Sequence, residues 1–371
     1  MYLKKLKLSN FKNYTTAEIH PSPAINVFTG PNGSGKTNVL DAIYLLSITK
    51  SAFNSNDASI IRKGEEYFRV EGKFEKSNKE FLVEVAFSRN SKKIIRTDKI
   101  DCEKIKDHIG QFPVILVTPY DTDVIREGSE ERRKFFDAVF SQLDSSYLSE
   151  LMKYNSVLKQ RNSLLKQFYE QNYIDEVLIS AYNFQMIESG KKIFIHRKKF
   201  IHDLIPVFHY HFESLTGKKE KIDLVYESQL ENENFQREFE AGLRQDIALQ
   251  RTSKGIHKDD YSFLINDSPL KTFGSQGQQK SYVIALKLAQ FDLIKQAKSL
   301  KPIILLDDIF DKLDDERIKK LLEMVIKEEF GQLFITDARV ERTLQFFKDL
   351  KTNLRIFNVE SGSISELISK T

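Results

Sequence analysis

Apolar and polar residues alternate with a period of two through "YLKKLKLSNF" near the start of the chain. Leu6 and Leu8 share a face, so the segment is predicted as a strand. "INVFTG" is a short apolar run, Ile25 to Phe28, that stops at Gly30 and reads as a second strand. The period turns helical in "TNVLDAIYLLS". It returns to two in "YFRVEGKF" and "EFLVEVAFSR", which are expected to be adjacent antiparallel strands. "PVILVTP" is a short buried strand between two prolines. From about Ser129 helical spacing takes over, with Phe136, Val139, Phe140 and Leu143, then Leu148, Leu151, Leu158 and Leu165. Strand pattern resumes at "YSFLIND". After it come a helix opened by "FGSQGQQKS", an apolar strand "PIILLD", another helix, a strand "QLFIT", and "NLRIFNVESGSI", which ends the sheet. The expected organisation is a strand-rich part at 1–119, a mostly helical insertion at 120–250, and alternating helix and strand at 251–371.

Composition narrows the class. In 371 residues, 40% hydrophobic and 30% charged residues describe a globular chain, and no run approaches the ~20 apolar residues of a membrane span. One cysteine, Cys102, forms no internal disulfide, which points to a reducing cytoplasm, and no Cys/His cluster has zinc spacing. A net charge of +4 does not by itself demand a nucleic-acid partner. Clusters at Lys4-Lys5-Lys7, Lys191-Lys192, Arg197-Lys198-Lys199 and Lys218-Lys219-Lys221 are either solvated surface or phosphate contacts.

The chemistry concentrates in three motifs. "GPNGSGKT", Gly30, Pro31, Asn32, Gly33, Ser34, Gly35, Lys36 and Thr37, fits G-x-x-x-x-G-K-[ST] in full. It follows an apolar strand and precedes a helix continuing through Asn38. The glycines let successive N–H groups turn inward on a phosphate, Lys36 adds a point charge, and the Thr37 hydroxyl is a ligand for Mg2+. "IILLDD" supplies the partner strand. Asp307 at its tip is placed to hold Mg2+, and Asp308 to orient or deprotonate an attacking water. The third motif is Ser275-Gln276-Gly277-Gln278 at the start of a helix with no acid in its first turn, which is an anion site or a plain helix cap.

Those residues resemble the signature of ABC-type ATPases, which implies an α/β head with a mixed sheet and flanking helices, bearing here an inserted helical arm. It also implies that Ser275 to Gln278 meet the γ-phosphate of ATP held by a second copy of the chain. By the same resemblance "DKLD", Asp311 to Asp314, stands where such proteins carry a loop along the dimer interface. Gln111 is the candidate glutamine near the metal, and Thr336-Asp337 stands where a histidine is common, which favours slow hydrolysis. "LSNFKNY", "TPYDTDVIREGSEERRKFFD", "GIHKDDY" and "LLDDIFDKLDDERIKKL" resemble the RecF family of bacterial recombination-mediator ATPases, apart from Asp311-Lys312 in place of serine-glutamate. That resemblance implies an ATP-dependent homodimer on duplex or gapped DNA and weak, DNA-stimulated ATPase activity. It also implies work with RecR and RecO in loading RecA at gaps coated by SSB. Lys4, Lys5, Lys7, Lys191, Lys192, Lys198 and Lys199 are the candidate DNA contacts. Arg132-Arg133 either contact DNA or pair with Glu130 and Glu131. An SMC-type chromosome-organising head is the alternative, but its arm needs hundreds of heptad residues where this insertion has ~130.

Overall fold

The computed structural model describes residues 1–217, 220–308, 320, 331–339, 345, 347 and 353–370. The chain divides into two units, Met1–Asp121 with Gln290–Thr371, and Thr122–Ala289.

The first unit holds two sheets. Strands β1 (Tyr2–Phe11), β2 (Tyr14–Ile19), β3 (Ile25–Thr29), β4 (Tyr67–Lys76), β5 (Lys79–Ser88), β6 (Ile94–Thr97), β7 (Ile100–Asp101) and β8 (Val114–Val117) precede the second unit. β1, β2 and β4 to β7 form an antiparallel sheet in the order β2-β1-β4-β5-β6-β7. The expected pairing of β4 with β5 runs the length of both strands, from Tyr67 opposite Ser88 to Lys76 opposite Lys79.

Strands β9 (Ile222–Glu227), β10 (Asp260–Ile265) and β11 (Ser268–Pro269) belong to the second unit. β12 (Ile303–Leu306), β13 (Leu333–Asp337), β14 (Leu354–Glu360) and β15 (Ser363–Lys370) return to the first. There they build the other sheet, β15-β14-β3-β13-β12-β8. β3 lies inside it, parallel to β13 on one side and β14 on the other. All five of its residues are buried, which is why the segment reads as an apolar run without alternation. The final segment, which ends the sheet as expected, is a hairpin. Ser361 (φ 48°) and Gly362 (φ 81°) turn the chain between β14 and β15, as a two-residue hairpin turn requires.

The helix Lys36–Ile48 is apolar nearly all round because it is covered on more than one side. Val39, Leu40, Ala42, Ile43, Leu45 and Leu46 are all buried, and it packs on β4 and β5 of one sheet and on β8 and β13 of the other. Asp41 is fully buried within it. Lys12 (Nζ to Oδ2, 2.6 Å), the Ser51 hydroxyl and the Ala52 N–H meet that carboxylate, so the charge is compensated.

The second unit is mostly helical, as expected for the insertion, but it extends to Ala289. Helices Ser145–Gln171 and Glu176–Thr216 pack together across a four-residue connection. Residues 251–289 group with them because β10 pairs antiparallel with β9, and not with either sheet of the first unit. Two buried arginines hold this unit. Arg161 meets Asp246, Asn183 and Thr252, and Arg197 meets Asp137, Asp259 and Tyr147. Arg197 is therefore an internal tie and not part of a surface cluster.

Candidate functional site

The phosphate loop leaves the carboxyl end of β3, the end of a parallel sheet where ligands gather. Gly30, Gly33 and Gly35 have φ of 144°, 78° and 118°, backbone that side-chain-bearing residues avoid. A Cβ at Gly30 would stand 2.2 Å from the Val359 carbonyl oxygen. One at Gly35 would stand 2.5 Å from the Asn13 amide nitrogen. The loop is thus clamped between segments from opposite ends of the chain. Asn13 donates from Nδ2 to the Ser34 carbonyl (2.8 Å) and accepts on Oδ1 from Asn38 Nδ2 (2.7 Å). The Tyr14 hydroxyl donates to the Gly35 carbonyl, and the Gly362 N–H donates to the Ser34 carbonyl at 3.3 Å. Asn13, Tyr14 and Gly362 are positioning residues that motif reading missed. "FKNY" was recognised there only as a family likeness.

Inside the clamp, Lys36 is 5% exposed and donates to the carbonyls of Gly30 (2.8 Å) and Pro31 (3.0 Å). The Ser34 hydroxyl is buried without a hydrogen-bond partner. The Thr37 hydroxyl donates to Asp307 Oδ1 at 2.8 Å, and Thr336 donates to the same oxygen at 2.8 Å. Asp307 sits at the tip of β12, where its N–H donates to the Val117 carbonyl of neighbouring β8. Burial pushes its carboxyl above the usual range, against the two hydroxyl bonds and the nearby Lys36 charge. Such a carboxylate gains from a cation. Asp308 follows with φ 44°, its N–H bonded to Thr336 Oγ1. Thr336 therefore organises both acids from the position where ABC-type ATPases commonly carry a histidine. Asp337, beside it, is buried and accepts from the Arg339 N–H.

The donor set fits Mg2+ and a nucleoside triphosphate. Thr37 and Asp307 are oxygen ligands already in register, the loop leaves a buried hydroxyl unpaired, and glycines stand where a Cβ would collide. Among the described residues no group of three or more acids, histidines and cysteine is gathered as a metal site.

Gln111 does not join this site. It precedes β8, whose four residues (~13 Å of rise) carry the chain toward the end where Asp307 lies. Gln111 is exposed, and Lys76 Nζ donates to its Oε1 at 3.1 Å. The segment that leaves β8 at the correct end is "TPYD", where Asp121 accepts from the Thr118 N–H and hydroxyl.

Ser275 to Gln278 lie in the second unit. The Ser275 hydroxyl accepts from the Gln278 N–H (3.2 Å) and Gln278 Oε1 accepts from the Ser275 N–H (2.7 Å), a reciprocal capping box on the helix Gln276–Lys298. Ser275 and Gln276 are exposed, and a Cβ at Gly277 would meet nothing closer than 3.9 Å. The loop Asp311 to Asp314 lies outside the described residues.

Most of the expected DNA lysines are already paired. Lys4 bridges Glu75 and Glu80, Lys5 meets Glu18, Lys191 meets Glu188, Lys192 meets Glu150 and Lys198 meets Glu231. Lys7 and Lys199 are exposed. The arginine pair does not bond its neighbours Glu130 and Glu131. Arg132 forks onto Asp260 (2.6 and 2.9 Å) and Arg133 donates to the Asp259 carbonyl, while Glu130 and Glu131 pair with Lys134.

Among the described residues, no helix is long and apolar enough to cross a membrane. A family model described as the RecF/RecN/SMC N-terminal domain matches residues 2–365. The DNA replication and repair protein RecF of Cytophaga hutchinsonii is 46% identical over 366 residues, 99% of this chain and 97% of that protein. A solved structure of the recombination mediator protein RecF with ATP, from the RecFOR pathway, superposes with a TM-score of 0.90 at 28% identity, covering 99% of this chain and 98% of that one. An SMC head domain with an extended coiled coil, from Pyrococcus furiosus, shares the fold at a TM-score of 0.56 and 18% identity over 100% of this chain and 96% of that one. The ABC-type head is therefore common to both groups. Near-full-length identity selects between them: the chain belongs to the RecF family of DNA replication and repair proteins.

Proposed function

We propose that the chain binds Mg2+ and ATP at the clamped loop and uses the nucleotide to join two copies on duplex or gapped DNA, with hydrolysis slow and DNA-stimulated. The observation that carries this reading is the register of Thr37, Asp307 and Thr336 at one carboxylate oxygen, beside a loop whose backbone is held open for phosphate. Bound Mg2+ would neutralise charge on the phosphates. The chain's own residues do the rest. Lys36 exchanges two carbonyl partners for phosphate oxygens, Thr336 keeps Asp307 aimed at the cation, and Asp308 is the group placed to take a proton from water. The exposed Ser275–Gln278 turn opens a helix with no acid in its first turn and suits the γ-phosphate of a partner copy. By kinship the same dimer works with RecR and RecO to load RecA at gaps coated by SSB.

The test is sedimentation of the full chain with ATP and a gapped duplex. Wild type dimerises only with ATP. Lys36→Met loses nucleotide binding, because the phosphates lose their buried cation. Normal ATP affinity in that variant would refute the phosphate-site assignment, and an ATP-independent dimer would refute the clamp.

A further inference from the structure

The helix Lys36–Ile48 ends at Thr49 (φ 63°), and the chain then loops through 49–66 before entering β4. A second loop, 88–93, turns the chain from β5 into β6. The two are knitted together. Lys93 Nζ donates to the Thr49 carbonyl (2.7 Å) and pairs with Asp57 (2.6 Å), and the Arg89 N–H donates to the Glu66 carbonyl (3.2 Å). Within 49–66, Glu65 N–H closes a turn on the Arg62 carbonyl, which sets Lys63 and Gly64 outward on the same rim.

Charge on this rim is unbalanced. Lys50, Lys63, Arg89 and Lys92 are exposed, and among the described residues none has a hydrogen-bonded or ionic side-chain partner. Of the carboxylates present, Asp57 is held by Lys93, and Glu65 is shared by Arg62 (3.8 Å) and the Asn10 amide (3.2 Å). Glu66 alone stands against the four cations. Lys4 and Lys5 on the same unit are paired with neighbouring carboxylates, whereas the four rim cations are not.

We propose that the rim formed by loops 49–66 and 88–93 receives the phosphate backbone of duplex DNA, through Lys50, Lys63, Arg89 and Lys92. The proposal rests on the DNA-binding reading and names its contact surface on the head. Three lysine point charges and one arginine suit phosphate contacts, which position the duplex and carry no sequence information directly. That suits a repair protein that must act wherever a gap occurs.

Salt dependence tests it. Each phosphate neutralised adds about −0.9 to the slope of log K against log salt. Fluorescence anisotropy of the full chain with ATP on two unrelated duplexes would be compared with a K50Q/K63Q/R89Q/K92Q variant. The variant should lose about 3.6 units of slope on both duplexes, with nucleotide affinity and melting temperature unchanged. K63Q alone should lose about 1. A K4Q/K5Q/K192Q/K198Q variant should keep most of the wild-type slope. Wild-type slope in the rim variant would overturn the proposal while leaving the DNA-binding reading intact. Salt-independent or absent binding in wild type would overturn both. An unchanged DNA slope with lost binding of poly-glutamate would assign the rim to an acidic protein instead.

Discussion

Replacing Asn13 by alanine isolates the clamp on the phosphate loop from the loop itself. The side chain makes two hydrogen bonds, to the Ser34 carbonyl and from the Asn38 amide. A net 0.5–1.5 kcal/mol for each gives about 1–3 kcal/mol lost from the ordered, nucleotide-free loop. The Gly362 N–H still reaches the Ser34 carbonyl, but at 3.3 Å it is the longer contact. Nucleotide must then supply the missing order on binding. At 1.4 kcal/mol per tenfold, ATP affinity falls by up to about 5- to 150-fold. Melting should drop by about 2–4 °C per kcal/mol for a unit of this size. Asn13→Asp sharpens the test. It keeps the shape and the bond from Asn38, yet turns an acceptor toward the Ser34 carbonyl, so it should bind ATP at least as poorly as the alanine variant. Isothermal titration with a slowly hydrolysed analogue, run beside a thermal melt, measures both quantities. An alanine variant with an ATP Kd within twofold of wild type would refute the clamp, whatever its melting temperature.

Three further outcomes are expected. Asp307→Asn should melt higher than wild type at pH 7 without nucleotide. The folded pKa lies above the unfolded value, so the ionised carboxylate costs stability above the folded pKa, and the cost disappears below about pH 4; a lower melt at pH 7 would contradict this. Gly277→Asp has open space for its side chain and a favourable charge for its own helix, so folding and ATP binding survive while a carboxylate blocks a partner's γ-phosphate. Sedimentation showing an undiminished ATP-dependent dimer would sink the shared site. Gln111→Ala should leave Mg2+-ATP affinity unchanged in the same titration, and a tenfold loss would return that residue to the metal.

The parts of the site legible in the sequence were those whose chemistry is local. Gly30 to Thr37 carry their own backbone instructions, and the apolar run ending at Asp307 announces a buried strand with an acid at its tip. Gln111 misled because a motif letter carries no strand direction; it enters β8 where a metal residue must leave it. Asn13 and Gly362 were invisible because their roles exist only once the chain's ends meet across Ser34. The ion pairs of Lys4 and Lys192 were likewise invisible, since Glu75, Glu80 and Glu150 lie far off in sequence. Ser275-x-x-Gln278 was legible both as an anion site and as a plain helix cap, and the structure shows the reciprocal cap. Alternation in "YSFLIND" showed a strand without showing its partner, so the upper edge of the insertion was drawn short of Ala289.

The placement of β3 between β13 and β14 bears on how the molecule is made. Residues 25–29 leave the ribosome early, yet both neighbouring strands begin only at Leu333 and Leu354. At about 5–20 residues per second, the strand that carries the phosphate loop waits roughly 15–60 s for its partners. The second unit, Thr122–Ala289, is complete before either arrives and can fold first. A nascent chain therefore carries an unpaired, mainly apolar strand until Leu333 and the residues beyond it emerge. The clamp on the phosphate loop therefore closes fully only after the β14–β15 hairpin has been made and the Gly362 N–H has reached Ser34.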